Sequence, residues 1–246
     1  MNFVKVEEFD NLEYSYISKY SGGYISKNEN IFNFINMNSL NQFILEKAVF
    51  GTPIFKVGSK GNKYLLLSGI HGDELPSQIA SLMVLNEYVN KKVNGTLYFI
   101  PFASPFSTME NERNFHLNDL NRSAHIEGSL SNNIFKTISA LDIDFVGDFH
   151  STAINSNPGV EAIFSSKNPT PESFFIASYV SRDVGSKNIV FPKASASYKG
   201  AIEDECNLNG IPAITGEVVS PFGVVGYGSV EKSYRQIKSF LAYFGL

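Results

Sequence analysis

The sequence predicts an α/β fold: a mixed, mostly parallel twisted sheet with helices on both faces. Three observations carry this expectation. Short apolar runs of strand length alternate with segments whose apolar residues recur at helical spacing. Three chemically capable residues, His71, His150 and Glu217, each stand at or just past the end of such a run. In open α/β sheets that is where sites lie. Finally, 246 residues suffice for one domain with a large core. We expect residues 1–246 to form a single domain, with 1–45 as a peripheral N-terminal segment and 46–246 as the core.

The elements follow in chain order. Residues 1–45 are rich in Asn, Tyr, Phe and Ser, with a turn at Gly22-Gly23. Their periodicity is weak, so short strands and a helix packed on the main body are expected. "AVFGTPIFKVGS" (48–59) and "KYLLLSG" (63–69) read as a pair of strands joined by the Gly-containing turn "SKGNK". Leu75, Ile79, Leu82, Met83, Leu85 and Val89 then recur at helical spacing, with Pro76 near the first turn. "TLYFIPF" is a buried strand, and a long polar loop follows over 103–132. A helix is predicted over 134–141, and a strand over "IDFVGDFH" (143–150). "EAIF", "NIVF" and "IPAITGEVV" read as further strands. "PESFFIASYVSRDV" and "GAIEDECNLN" read as the helices between them. The last helix places Val230, Tyr234, Ile237, Phe240, Leu241 and Phe244 on one face, with Ser229 as its N-cap. "GVVGYGS" before it lacks the spacing and preceding strand of a phosphate loop and reads as a turn.

Composition excludes several classes. A content of 43% hydrophobic and 18% charged residues is an ordinary globular balance. Twenty basic against 24 acidic residues give a net charge of -4, so no nucleic-acid partner is expected. Cys206 is the only cysteine, which rules out an internal disulfide and a thiolate metal cluster. The apolar runs are of strand length, so no membrane span is expected. The start, "MNFVKVEEFD", lacks the basic-then-apolar pattern of a secretory leader, and a cytoplasmic location is expected.

The chemistry centres on "LLLSGIHGDELPSQ" (65–78). His71 and Glu74 are three apart at a strand-to-helix turn, where both side chains can face one point. Taken alone, the pair also reads as a plain polar turn. His150 is the natural third ligand. Two His and one Glu, with the fourth position open, make the donor set of a catalytic zinc site. Glu217 ends a strand and is not needed as a ligand, so it is the best-placed general base. Within 103–132, Asn121 and Arg122 stand together in "NDLNR", and Arg113 lies nearby. An Arg fork with an Asn donor suits a carboxylate, and long loops in compact domains tend to be functional.

The combination of "GIHGDE", Arg113, "DLNR", "DFHST" and "GIPAITGE", in this order, resembles the M14 zinc carboxypeptidase superfamily. Within it, the sequence is most similar to the succinylglutamate desuccinylase/aspartoacylase-like deacylases, over roughly residues 50–246. The resemblance implies a zinc carboxypeptidase-like fold, with 46–246 as the catalytic core and one zinc ion per chain on His71, Glu74 and His150. It implies Glu217 as general base and later proton donor, Arg113 as oxyanion stabiliser, and Asn121 and Arg122 as holders of a substrate carboxylate. Asp148 shares a strand face with His150 and could orient it. Tyr198, in a loop of small residues, matches the region of a mobile substrate-capping tyrosine. The implied activity is hydrolysis of an amide bond near a carboxylate, as a deacylase of an N-acyl amino acid. The alternatives are a carboxypeptidase or amidase acting on small peptides, for instance from the cell wall, and a silent zinc-containing binding protein. The segment 188–216 holds no Arg, which some aspartoacylase-type members use for substrate. That departure argues against N-acetylaspartate and succinylglutamate. The expected partner is a small molecule or short peptide bearing a carboxylate.

Overall fold

The computed structural model describes residues 1–246. Nine strands form one sheet: β1 (Val4–Lys5), β2 (Leu12–Ser18), β3 (Thr52–Gly58), β4 (Lys63–Ser68), β5 (Thr96–Ile100), β6 (Phe145–Thr152), β7 (Ala162–Ser166), β8 (Lys187–Phe191) and β9 (Ala213–Val219). Eight helices accompany them: α1 (Glu29–Phe32), α2 (Ser39–Ala48), α3 (Leu75–Tyr88), α4 (Pro105–Glu110), α5 (Leu130–Ala140), α6 (Glu172–Val184), α7 (Ile202–Leu208) and α8 (Ser229–Tyr243). The strand order is β1-β2-β3-β5-β4-β6-β9-β7-β8. Its centre, β5-β4-β6-β9, is parallel, and β7 runs antiparallel to β9. This is the mixed, mostly parallel sheet that the sequence predicts.

The period of two along the strands sorts side chains onto two cores. Leu66, Phe99 and Val57 face a cluster shared with α2, α3, α6 and α8, which includes Ile44, Leu82, Ile176 and Phe240. Leu65, Leu67, Tyr98 and Ile100 face the opposite cluster, closed by Ile134 and Ile138 of α5 and Ile202 and Cys206 of α7. Burial on both faces explains why the central strands read as continuous apolar runs rather than alternating ones. No helix is long and apolar enough to cross a membrane.

Four expectations need correction. First, β3 and β4 do not pair with each other, because β5 inserts between them. A short Gly-containing connection allows a hairpin but does not force one. Here α3 returns the chain so that β5 lies parallel to β4 and antiparallel to β3. Second, the polar stretch 103–132 is not wholly loop. It contains α4, started by Pro105 and by Ser104 Oγ accepting from Ser107 N, and a 3-10 turn over Leu120–Arg122. Third, α5 begins four residues earlier than predicted, because Ser129 caps it by accepting from Asn132 N. Fourth, Ser229 is inside α8, and Gly228 with φ 73 is the N-cap. The Ser229 hydroxyl instead donates to Gly226 O at 2.6 Å. The N-terminal segment supplies β1 and β2 to the sheet edge, with Tyr14 opposite Phe55.

Candidate active site

The carboxyl ends of β4, β6 and β9 open into one pocket. In "GIHGDE", β4 ends at Ser68 and the chain turns through Gly69 with φ 74. Gly72 is required by space: a Cβ there would lie 2.1 Å from the backbone carbon of Ser107. Gln78 of α3 clamps the turn, donating to Glu74 O at 3.1 Å while accepting from Thr108 Oγ1 at 2.9 Å. The turn thereby faces His71 and Glu74 inward, both buried.

β6 brings His150 to the same point. His150 Nδ1 lies 2.8 Å from Glu74 Oε2, and His71 Nδ1 lies 2.7 Å from Glu74 Oε1. The ligand atoms of His71, Glu74 and His150 fall within 4.8 Å of one another, a group that could hold a metal ion. Each ring has a second carboxylate behind it. Asp119 Oδ1 is 3.0 Å from His71 Nε2. Asp148 Oδ2 is 3.1 Å from His150 Nε2, a charge contact whose alignment falls short of a hydrogen bond. Arg113 joins the set, donating to Glu74 Oε1 at 3.2 Å and to Asp119 Oδ2 at 3.1 Å.

This arrangement fixes the charges. Burial works against a charge on His71, but Glu74 and Asp119 outweigh it and its pKa is raised. Burial opposes a charge on His150 too, and Asp148 and Glu74 raise its pKa well above the ordinary value. Burial would lift Glu74, yet the two imidazoles hold it far below the usual carboxylate range. Asp119 is likewise held down, its burial outweighed by His71 and Arg113. Both Nδ1 atoms face the same Glu74 carboxylate. The donor set of two imidazole nitrogens and one carboxylate fits zinc in type.

Glu217 stands beside this cluster, opposite His150 in the β6–β9 register. Burial, and then the Glu74 carboxylate, push its pKa up to about 8. Its Oε2 is buried without a partner. In the 3-10 turn, Asp119 Oδ1 accepts from Asn121 N at 2.9 Å. Asn121 Oδ1 is also buried without a partner. Arg122 donates to Asn121 O at 2.5 Å and stacks on Tyr198, its guanidinium carbon 4.9 Å from the ring centre. Tyr198 Oη accepts from Asn157 Nδ2 at 3.1 Å, and its ring packs edge-on against Phe164 and Phe191.

His71, Glu74, Arg113, Asn121, Arg122, Tyr198 and Glu217 all line one cavity of ≈ 550 Å³, mouth included. His150 lies behind it, against Glu74. Sequence reasoning missed two residues. Asp119 bridges His71 and Arg113, while His116, three residues before it, packs on Phe106 and Phe115. Its signal was the position before "LNR". Glu203, a buried carboxylate of α7, also lines the cavity, and nothing in "IEDECNL" distinguishes it from its acidic neighbours.

Residues 60–243 match the family model described as the succinylglutamate desuccinylase/aspartoacylase catalytic domain. No curated protein matches the chain by sequence. Among solved structures, an aspartoacylase family protein from Mesorhizobium loti superposes with a TM-score of 0.61 at 20% identity, covering 79% of this chain and 62% of that one. The chain thus spans about three fifths of that relative's length. Bovine thrombin-activatable fibrinolysis inhibitor, solved with tick carboxypeptidase inhibitor, gives 0.64 at 13% identity, covering 95% and 88%. Tripeptide-bound Csd4, a cell shape determinant of Helicobacter pylori, gives 0.59 at 13% identity, covering 77% and 54%. At these identities the likeness is one of fold.

Proposed function

Because the chain belongs to the succinylglutamate desuccinylase/aspartoacylase catalytic-domain family, we propose that it is a zinc-dependent hydrolase of an amide bond near a carboxylate, acting as a deacylase of an N-acyl amino acid. His71, Glu74 and His150 would hold the zinc. When bound, zinc supplies a Lewis acid for the carbonyl oxygen and lowers the pKa of water towards ~7.

The chain's own residues divide the remaining work. Glu217 takes the proton of the attacking water and returns it to the departing amine. The observation that carries the reading is the state of this side chain: buried, beside the cluster, with one oxygen unpartnered. An unsatisfied buried oxygen is destabilising by roughly 1–3 kcal/mol, and it is retained here where a reacting proton would pass. Arg113 offers a fixed positive charge to the developing oxyanion. Arg122 and the Asn121 side chain receive the substrate carboxylate. The Tyr198 ring lies under the Arg122 guanidinium, 4.9 Å from its carbon to the ring centre, and would help to place it. Asp148 and Asp119 orient the imidazoles from behind.

The test is hydrolysis by the zinc-loaded protein of a panel of N-acyl amino acids and short peptides, with amine release as the readout. Release from N-acyl amino acids is expected. The tripeptide found in a protein of the same fold supports a second reading as a small-peptide carboxypeptidase. Turnover of peptides alone would select it. Zinc binding with no turnover of any amide would leave a silent binding protein.

A further inference from the structure

Beyond Glu217 the pocket continues along β9 towards Thr215, which lines it together with Phe164, Ala201 and Glu203. Thr215 and Glu217 share a face of β9, so this wall lies behind the proposed base, further from the strand ends. Glu203 is the only carboxylate there, and only 4% of it is exposed. Its setting is rigid. Asn207 Nδ2 donates to Glu203 Oε1 at 2.5 Å and to Ala213 O at 3.0 Å, and Asn207 Oδ1 accepts from Ala213 N at 3.1 Å. Asn207 therefore ties Glu203 to the start of β9 through one oxygen. The other oxygen is neither hydrogen-bonded nor sealed from the cavity.

No cation answers Glu203. None of the ion pairs includes it, and its charged neighbours, Asp204 and Asp148, are acidic. Of the pocket's two arginines, Arg113 is paired with Glu74 and Asp119, while Arg122 lies over the Tyr198 ring and forms no ion pair, its charge reaching Asp204 only at a distance. One cavity is thus lined by a guanidinium and by a buried carboxylate, neither of them in an ion pair. A buried charge is tolerated when a partner meets it. The ligand that satisfies both carries an anion and a cation.

We propose that Glu203 is a specificity-determining residue, and that it selects a substrate whose carboxylate meets Arg122 while its side chain ends in an ammonium group. Burial, and then the Asp204 charge, raise the pKa of Glu203 well above the ordinary value, as expected of a site whose counter-charge arrives with the ligand. An acidic side chain in this position would face a second carboxylate and be disfavoured. The proposal deepens the hydrolase reading by naming its substrate class, but the binding preference it predicts stands apart from turnover.

The experiment is calorimetric titration of the zinc-loaded protein with Nα-acetyl-lysine and with Nα-acetylnorleucine, which has the same chain without the charge. The ratio of the two affinities is read in wild type, Glu203→Gln and Glu203→Asp. A preference for the lysine ligand of about tenfold or more is expected in wild type. It should fall to about one in Glu203→Gln and be reduced in Glu203→Asp, which keeps the charge on a shorter arm. A merely structural role would weaken both ligands alike and leave the ratio standing. Equal affinities in wild type, a ratio that survives in Glu203→Gln, or no binding of either ligand would overturn the proposal. Should Glu203→Gln fail to fold, an unchanged ratio in Glu203→Asp would do so. Hydrolysis of the same ligands is scored separately. Preferential binding without turnover removes the hydrolase reading alone, and turnover without preference removes this proposal alone.

Discussion

The two walls of the pocket treat charge differently. Where β4 and β6 end, three carboxylates (Glu74, Asp119, Asp148) face two imidazoles (His71, His150) and the Arg113 guanidinium at 2.7–3.2 Å. Elsewhere in the cavity lining, Arg122 and Glu203 form no ion pair. The paired wall is complete by itself, so its geometry does not depend on which substrate enters. The unpaired wall is complete only with a ligand present. Preorganised charge suits chemistry, and open charge suits selection.

The contrast is broken most completely by His150→Ala. It removes one ligand and leaves Asp148 buried without its imidazole. Bound zinc is expected to fall from about one ion per chain to near none, read by elemental analysis. Retention of a full equivalent would refute the cluster as the metal centre. Glu217→Gln sits on the border between the walls. It should keep zinc and lose about 10²–10⁴-fold in kcat, and substantial remaining turnover would remove Glu217 from the role of base.

Two substitutions sharpen the contrast. Asp119→Asn, on the paired wall, should weaken zinc affinity about 10–100-fold, measured by competition with a chelator. Arg122→Ala, on the unpaired wall, should raise KM about 10–100-fold with a smaller change in kcat. Exchanged phenotypes, with Asp119 affecting only KM and Arg122 only metal, would abolish the distinction.

The smallest effect concerns stability. The folded-state pKa of Glu203 is raised above its unfolded value. Its contribution is therefore fully present below the unfolded pKa and is lost as pH rises through the folded one. Glu203→Gln has no such loss. Its Tm should match wild type near pH 4 and exceed it at pH 8, by about 2–4 °C for each kcal/mol of desolvation relieved. Scanning calorimetry at the two pH values checks this, and a Tm difference that does not grow with pH counts against an uncompensated carboxylate.

The paired wall was more legible in the sequence than the unpaired one. His71, Glu74, His150 and Glu217 announce themselves because each follows an apolar run that can only be a strand end or its turn. The parallel core was legible for the same reason. Asp119 was not, because its partners His71 and Arg113 are set by how a polar stretch folds back across α4. Glu203 was not, because its burial depends on α7 packing against β9, whereas its own segment reads as three acidic residues in a row. The place of β5 was hidden for a related reason: strand order is decided by crossovers, and local turn chemistry between β3 and β4 carries no information on a strand still to come.

The register of β6 and β9 has one more consequence. His150 and Glu217 are opposite partners in a parallel pair whose two strands are far apart in the chain. A slip of one residue would turn Glu217 to the other face of the sheet. Only His71 and Glu74 come from one short segment; the strand ends of β4, β6 and β9 meet only when distant parts of the chain pair. During refolding, then, the complete cluster forms late. Recovery of tight zinc binding would track the last long-range pairing, which topology makes slow, rather than the early growth of helical signal. A metal held by His71, Glu74 and His150 would thus report the completion of the sheet.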